Sequence, residues 1–577
     1  MPDLTQEDLA EIIDVARGAK EGDLLLKNGK IVNVFNVSIE TGNILIHKGI
    51  IVGIGSYEKA KEIINVNKSY ISPSFTDAHL HIESTMSIPP EFARAVIPLG
   101  TTTAIADPHE IANVAGIPGI QFMINSAKNL PMDIYFMLSS CVPATPLESS
   151  GAHLYAEDLA IFKDNPKVLG LAEMMNYPGL LAKDPEVLAK IAISRDRIID
   201  GHSPGLSGKD LNAYLASGVM TDHECTTPEE AKEKLSKGMW IMMREGSLTR
   251  DVQRLIPILN EHTKHRILLC TDDKHPEDLV HEGHVNFAIS LLLKNKIPLP
   301  LAIRLATLNP ASFFGFKRNG GIAPGYSADI VVFKDILKIE KVFKNGKLVA
   351  SDGKPLFEFK GQLHDDAVKN TINIKPVTFN DLKVPKRNGK IRVIGIHPDT
   401  VITSELHCTP SVKNGLVVSD IKKDIIKIAV IERHKATGNV GVGFINGLGL
   451  KSGAFATSVS HDSHNIIVTG TNDKDMLLAI AQIEAMGGGI AIIKNGKVLG
   501  SLALPYGGLM TNRSINETSE ILIKLHEIVK KENGTAVPDP FMTLAFMSLA
   551  VIPKLKITDK GLVDVDKFAF VPLFVRT

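Results

Sequence analysis

Ser74-Phe75-Thr76-Asp77-Ala78-His79-Leu80-His81-Ile82-Glu83 carries an apolar run into two histidines one residue apart. Strand side chains alternate, so His79 and His81 project from one side of a strand as a two-toothed imidazole claw, with Glu83 on the same parity. The spacing by itself suits an ordinary pair of strand histidines as well as one edge of a metal site. The chain around it decides.

Working outward, residues 71–320 alternate apolar β-like runs with helical stretches, and eight runs can be counted. They end at His79-Leu80-His81, Asp107-Pro108-His109, Ser140-Cys141, Ala172-Glu173, Asp200-Gly201-His202, Asp222-His223-Glu224, Arg244-Glu245 and Thr271-Asp272-Asp273. Apolar strands separated by helices are what a parallel sheet buried on both faces requires. Eight units in about 250 residues match a closed (β/α)8 barrel of the TIM type. An open doubly wound sheet fits the alternation too, but it does not explain why seven of the eight runs finish in His, Asp or Glu. In a barrel that end is where catalytic side chains converge. His79, His81, Glu173, His202, His223 and Asp272 together supply four imidazoles and two carboxylates, enough for two divalent ions with positions left for water. The set lacks a thiolate and suits catalytic Mn²⁺, Fe²⁺ or Zn²⁺ better than a structural zinc.

The 577-residue chain is long for one core, at roughly 100–200 residues per domain. Lys plus Arg equals Asp plus Glu at 64 each, so no basic field recruits nucleic acid or anionic lipid, and a small neutral partner fits better. Cys141, Cys225, Cys270 and Cys408 form no C-x-x-C pair, which points to reduced thiols and a cytoplasmic location. Residues 1–20 read as an acidic amphipathic helix without the features of a signal peptide. No run reaches the 18 or so apolar residues of a membrane span.

On either side of the barrel, Lys27-Asn28-Gly29-Lys30 reads as a hairpin turn and returns as Lys344-Asn345-Gly346-Lys347. Residues 21–70 and 321–375 are therefore expected to form one small β-sandwich domain around the inserted barrel. A third copy at Lys494-Asn495-Gly496-Lys497 leaves chance recurrence of a favoured turn as the alternative. Residues 380–577 read as a β-rich α+β domain with helices near 475–487 and 517–531. Within it, residues 438–453 look like loose glycine-rich turns. Ser460-His461-Asp462-Ser463-His464-Asn465, with His434 upstream, offers a second metal site or, as preferred here, polar strand ends at a domain or subunit contact. A homo-oligomer is expected.

The phrases Asp77-Ala78-His79-Leu80-His81-Ile82-Glu83-Ser84, Asp107-Pro108-His109-Glu110-Ile111-Ala112-Asn113-Val114, Gly170-Leu171-Ala172-Glu173-Met174-Met175-Asn176-Tyr177-Pro178, Asp200-Gly201-His202-Ser203-Pro204 and Asp539-Pro540-Phe541-Met542 complete a pattern that resembles the adenine deaminase family of the amidohydrolase superfamily. The resemblance runs from about residue 20 to the end. It implies metal-dependent hydrolysis of adenine to hypoxanthine and ammonia in purine salvage, with two divalent ions, Mn²⁺ first, held by the six residues above and Glu173 bridging. It also implies that Asp272 binds metal, takes the proton of the attacking water and hands it to the departing ammonia. A metal acidifies its bound water to a pKa of about 7, and the ring nitrogen N1 needs a proton. Glu83 is the first choice for that acid, on strand parity; its alternative role is to orient a ligand histidine. Glu224 is second, although beside His223 it is expected to point outward, and Glu173 itself can relay a proton. His109 and His275 are candidates to line the mouth and hydrogen-bond the purine, and Arg244 is expected to brace a carboxylate. A deaminase of guanine or N6-substituted adenine, or a cyclic amide hydrolase, shares the metal claw. The ring-opening branch would favour a lysine where Glu173 stands, and a non-catalytic scaffold would have lost ligands. The zinc nucleoside deaminases are excluded, because their P-C-x-x-C is missing.

Overall fold

The structure, a computed structural model, describes residues 4–397 and 400–575. Eight parallel strands follow chain order around a ring: β1 (Phe75–Leu80), β2 (Thr101–Ala106), β3 (Asp133–Leu138), β4 (Val168–Met174), β5 (Ile198–Gly201), β6 (Thr221–Asp222), β7 (Trp240–Arg244) and β8 (Ile267–Cys270). β1 to β5 form one ladder and β6 to β8 another. Two seams join them. Met220 N–H donates to Ile199 O at 3.0 Å between β5 and β6, and Asp272 N–H, just past β8, donates to His79 O at 3.0 Å. Ala78, Ile105, Met137, Ala172, Met242, Leu268 and Cys270 fill the interior with Phe314. Phe75, Ala104, Ala106, Phe136 and Leu171 pack outward against the helices. Both faces are thus apolar, as a parallel sheet demands.

Several register shifts interrupt the barrel ladders, and two of them bear on the site. Asp77 to Leu80 on β1 lies opposite only Ala104 to Ala106 on β2. Likewise Leu171 to Met174 on β4 lies opposite Ile199 to Gly201 on β5. One extra residue in a strand is a bulge, which re-aims side chains. Ala78 and the next residue, His79, therefore both face inward, as do Ala172 and Glu173.

Strands from both sides of the barrel hydrogen-bond into one nine-stranded sheet, in which Tyr70–Pro73 lies between Gly22–Asn33 and Ile330–Asp335. The Asn345-Gly346 pair turns a hairpin between Lys338–Lys344 and Lys347–Ser351 with both φ positive. Asn28-Gly29 does not. Gly22–Asn33 is one continuous strand, and the register against Ser38–His47 slips between Leu26 and Gly29. Asn28, at φ 61, makes a bulge where a hairpin was expected. The N-terminal helix, Gln6–Ala16, is capped reciprocally by Thr5 and Asp8.

The C-terminal region builds a second nine-stranded sheet. Helix Asp473–Ala485 contributes to the apolar cluster on one face, and Ile515–Ile528 and Pro540–Ala545 to that on the other. The stretch expected to be loose turns holds an interior strand instead, Val440–Asn446, paired to Lys390–His397 and Ile426–Ile431. Its glycines allow close approach: a Cβ on Gly441 would lie 2.0 Å from Thr558 O. Met86, from the barrel mouth, is buried in this region's core, and Thr511 N–H donates to Met86 O at 2.9 Å. Among the described residues no helix is long and apolar enough to cross a membrane.

One buried charge site in this region makes a stability prediction. Among the described residues Lys556 Nζ donates only to Val401 O and Phe546 O, each at 2.9 Å, and burial pushes its ammonium down to about 7 from the ordinary 10.5. Between those values the unfolded chain binds more protons than the folded one, so this site's contribution to stability is least favourable below about pH 7 and improves as pH rises toward 10.5. Urea unfolding of wild type and Lys556→Met should show the difference moving in favour of wild type from pH 7 to 10. A difference that stays flat over that range would refute the assignment.

Candidate metal centre

The mouth of the barrel gathers the claw and the distant strand ends around one carboxylate. Asp200 Oδ2 holds His79 Nδ1 at 2.9 Å and the carbonyl of Asp107 holds His81 Nδ1 at 3.1 Å. Each ring is thereby fixed with Nε2 inward, the arrangement metal-ligating histidines adopt. His81 Nε2 lies 3.3 Å from Glu173 Oε1 and 3.1 Å from Asp272 Oδ1, and His79 Nε2 lies 4.0 and 3.7 Å from the same two oxygens. The other oxygen of Glu173, Oε2, faces His202 Nδ1 at 2.8 Å and His223 Nε2 at 3.3 Å. Glu173 thus divides its oxygens between two sets of candidate ligand atoms.

Asp272 is held from behind. Arg244 Nη1 donates to its Oδ2 at 2.8 Å, which leaves Oδ1 toward the histidines. Burial would raise the carboxyls of Glu173 and Asp272, yet His202, His223 and His81 hold Glu173 well below the usual carboxylate range, and His81 and Arg244 do the same for Asp272. The centre is almost sealed from solvent. His79 Nε2 and His223 Nδ1 are buried without a hydrogen-bond partner, an unusual state for polar atoms. Four imidazoles and two ionised carboxylates, with no lysine among them, fit a pair of divalent ions.

The remaining candidates fall in different places. Glu83 is not on the strand: β1 ends at Leu80, and Ile82–Thr85 form a 3-10 turn. Parity therefore does not carry Glu83 to the site, but the turn buries it near the mouth. Its Oε1 accepts from Ile111 N–H at 3.2 Å, and Oε2 is buried with no partner. Burial, with the Glu110 carboxylate adding to it, lifts Glu83 to about 7. Glu224 turns inward, contrary to expectation. β6 ends at Asp222, and Arg244 draws the Glu224 carboxylate to within 3.5 Å of His223 Nε2 and 3.7 Å of His202 Nδ1. His109 stands deep in the cluster, its ring 4.5 Å from that of His81 and its Nδ1 2.8 Å from Asp107 Oδ2. His275 lies farther out, lining with Glu83, Glu110, His461 and Met542 a cavity under the C-terminal region.

Relatives match this sequence over nearly the full chain. An adenine deaminase 2 from Carboxydothermus hydrogenoformans is 48% identical over 98% of this chain and 99% of its own length. An adenine deaminase from Kosmotoga olearia is 47% identical over 98% and 99%. The chain belongs to the adenine deaminase family of the amidohydrolase superfamily. The amidohydrolase family model matches residues 70–355 and that of the adenine deaminase C-terminal domain residues 400–569. Among solved structures, a β-aspartyl dipeptidase from Fervidobacterium islandicum AW-1 aligns over 59% of this chain and 99% of its own, at 15% identity and a TM-score of 0.46.

Sequence reasoning missed the residues behind the ligands. Asp200 and Asp107 each close a strand run, a signal that was available but read only at His202 and His109. Glu110 gave no local signal. It is gripped from 354 residues away, where His464 Nε2 donates to its Oε2, while His461 Nδ1 lies 2.7 Å from Oε1. The Ser460–Asn465 phrase is therefore a contact between the C-terminal region and the barrel mouth. His434 is turned elsewhere, onto Ser463 O at 2.7 Å.

Proposed function

We propose that this chain hydrolyses adenine to hypoxanthine and ammonia at the two ligand sets that share Glu173. The observation that carries the reading is the split of the Glu173 oxygens, Oε1 toward His79, His81 and Asp272, and Oε2 toward His202 and His223. The relatives' adenine deaminase names support the substrate. His79, His81, Glu173, His202, His223 and Asp272 would hold two divalent ions, which we assign as Mn²⁺, and these would supply water acidified to a pKa of about 7. Asp272 Oδ1, aimed inward by Arg244, takes a proton from the water that adds to C6. Glu83 Oε2, unpartnered at the mouth, delivers a proton to N1. Asp272 then passes its proton to the exocyclic amine, the C6–N bond breaks and ammonia departs, while the C6 hydroxyl gives up its proton to the Glu83 carboxylate, which leaves C6=O and restores the acid. Arg244 holds Glu224 and Asp272 together, which keeps the Asp272 carboxylate from rotating away.

The test is a spectrophotometric assay of Mn²⁺-loaded protein against adenine, guanine, N6-methyladenine and hydantoins. Adenine should be turned over fastest, with loss of activity on chelation and return on Mn²⁺ addition. Turnover of hydantoins but not adenine would overturn the assignment.

A further inference from the structure

We propose that His109, Glu110, His461 and Asp462 form a third cation site, separate from the pair around Glu173, which takes a divalent transition-metal ion and ties the C-terminal region to the barrel mouth. Asp107 occupies His109 Nδ1, so Nε2 is free and points to Glu110 Oε1 at 3.5 Å. From the other side His461 Nδ1 lies 2.7 Å from the same oxygen and 3.9 Å from Asp462 Oδ1. The ligand atoms of His109, Glu110 and Asp462 all fall within 4.8 Å of one another. Glu110 is aimed by its neighbour: Ser460 N–H donates to His464 Nδ1 at 3.1 Å, so the hydrogen sits on His464 Nε2 and is donated to Glu110 Oε2. Oε1 is left for the cluster. A bound ion's ligands are oriented by outer hydrogen bonds in this way.

The second observation is a set of buried carboxylate oxygens without partners. Asp462 Oδ2, Glu83 Oε2 and Glu148 Oε1 are buried with no hydrogen-bond partner. Asp462 itself is 3% exposed. Among the described residues Glu110 and Asp462 pair only with histidines, and neither reaches a lysine or arginine. Buried carboxylates are ordinarily paired or bound to metal. Two imidazoles and two carboxylates are a donor set for Zn²⁺ or Mn²⁺. The ion would join helix His109–Ser126 of the barrel to the loop after strand Ala454–Thr457, two segments already linked here by histidine–glutamate contacts. The inference does not require that the pair around Glu173 deaminate adenine.

Full-length protein from Mn²⁺-replete culture, dialysed and counted by plasma mass spectrometry, should hold three equivalents per chain. Asp462→Asn and His461→Gln should each hold two, while His202→Gln should lose an ion from the Glu173 pair and keep the third. Anomalous diffraction at the manganese edge should place a peak between His461 and Asp462. Two equivalents in wild type, with no anomalous peak there, would overturn the third site and leave the pair standing. Should a variant fail to fold, the wild-type anomalous map decides alone. An unaltered metal count in His202→Gln would instead count against the pair.

Discussion

Asp272→Asn should give a folded chain whose adenine turnover falls by about 10⁴-fold or more, the upper end of what general acid–base catalysis contributes, because the same carboxylate is also a proposed ligand. The substitution is chosen to spare the backbone. Asp272 sits at φ 57, a left-handed conformation that asparagine tolerates better than most residues. Its N–H bond to His79 O is a main-chain contact and survives. Arg244 loses one partner but keeps Glu224 and Asp251, so no buried cation is left alone. Steady-state ammonia release, alongside circular dichroism melting, checks the prediction. Near-normal turnover in a folded variant would remove Asp272 from the chemistry.

The strands of the barrel were readable because most are apolar runs alternating with helical stretches, which a parallel sheet covered on both sides requires. Their polar ends were readable for the converse reason: His, Asp and Glu have no place in a strand core unless they converge on something. Local geometry at those ends was not. The bulges at Ala78-His79 and Ala172-Glu173 need no glycine and leave no mark in residue type, so alternation gives the right side for the two histidines and the wrong basis for Glu83. Asn28-Gly29 has the residues of a hairpin turn, yet its strand continues in register with Gly42 and the turn becomes a bulge. Glu224 lies two residues past the end of a two-residue strand, where parity no longer applies and Arg244 sets the direction. The grip of His461 and His464 on Glu110 joins segments with no periodic relation, and only the tertiary fold reveals it.

Glu83→Gln should lower kcat by about 10²–10⁴-fold if Glu83 is the acid at N1, the range general acid catalysis supplies. Glutamine retains an acceptor for Ile111 N–H, which Glu83 Oε1 now receives at 3.2 Å, and it matches glutamate in size, so the Ile82–Thr85 turn should persist. What it loses is an acidic proton at Oε2, the oxygen that is buried without a partner in the mouth. Metal content and KM should therefore change little while kcat falls. The split separates two roles that the geometry alone would merge, since Glu83 is two residues from His81 and can act through it. A variant that binds metal more weakly but regains full kcat at saturating Mn²⁺ would make Glu83 a positioning residue for His81, and the proton for N1 would have to come from Glu224 or Glu173.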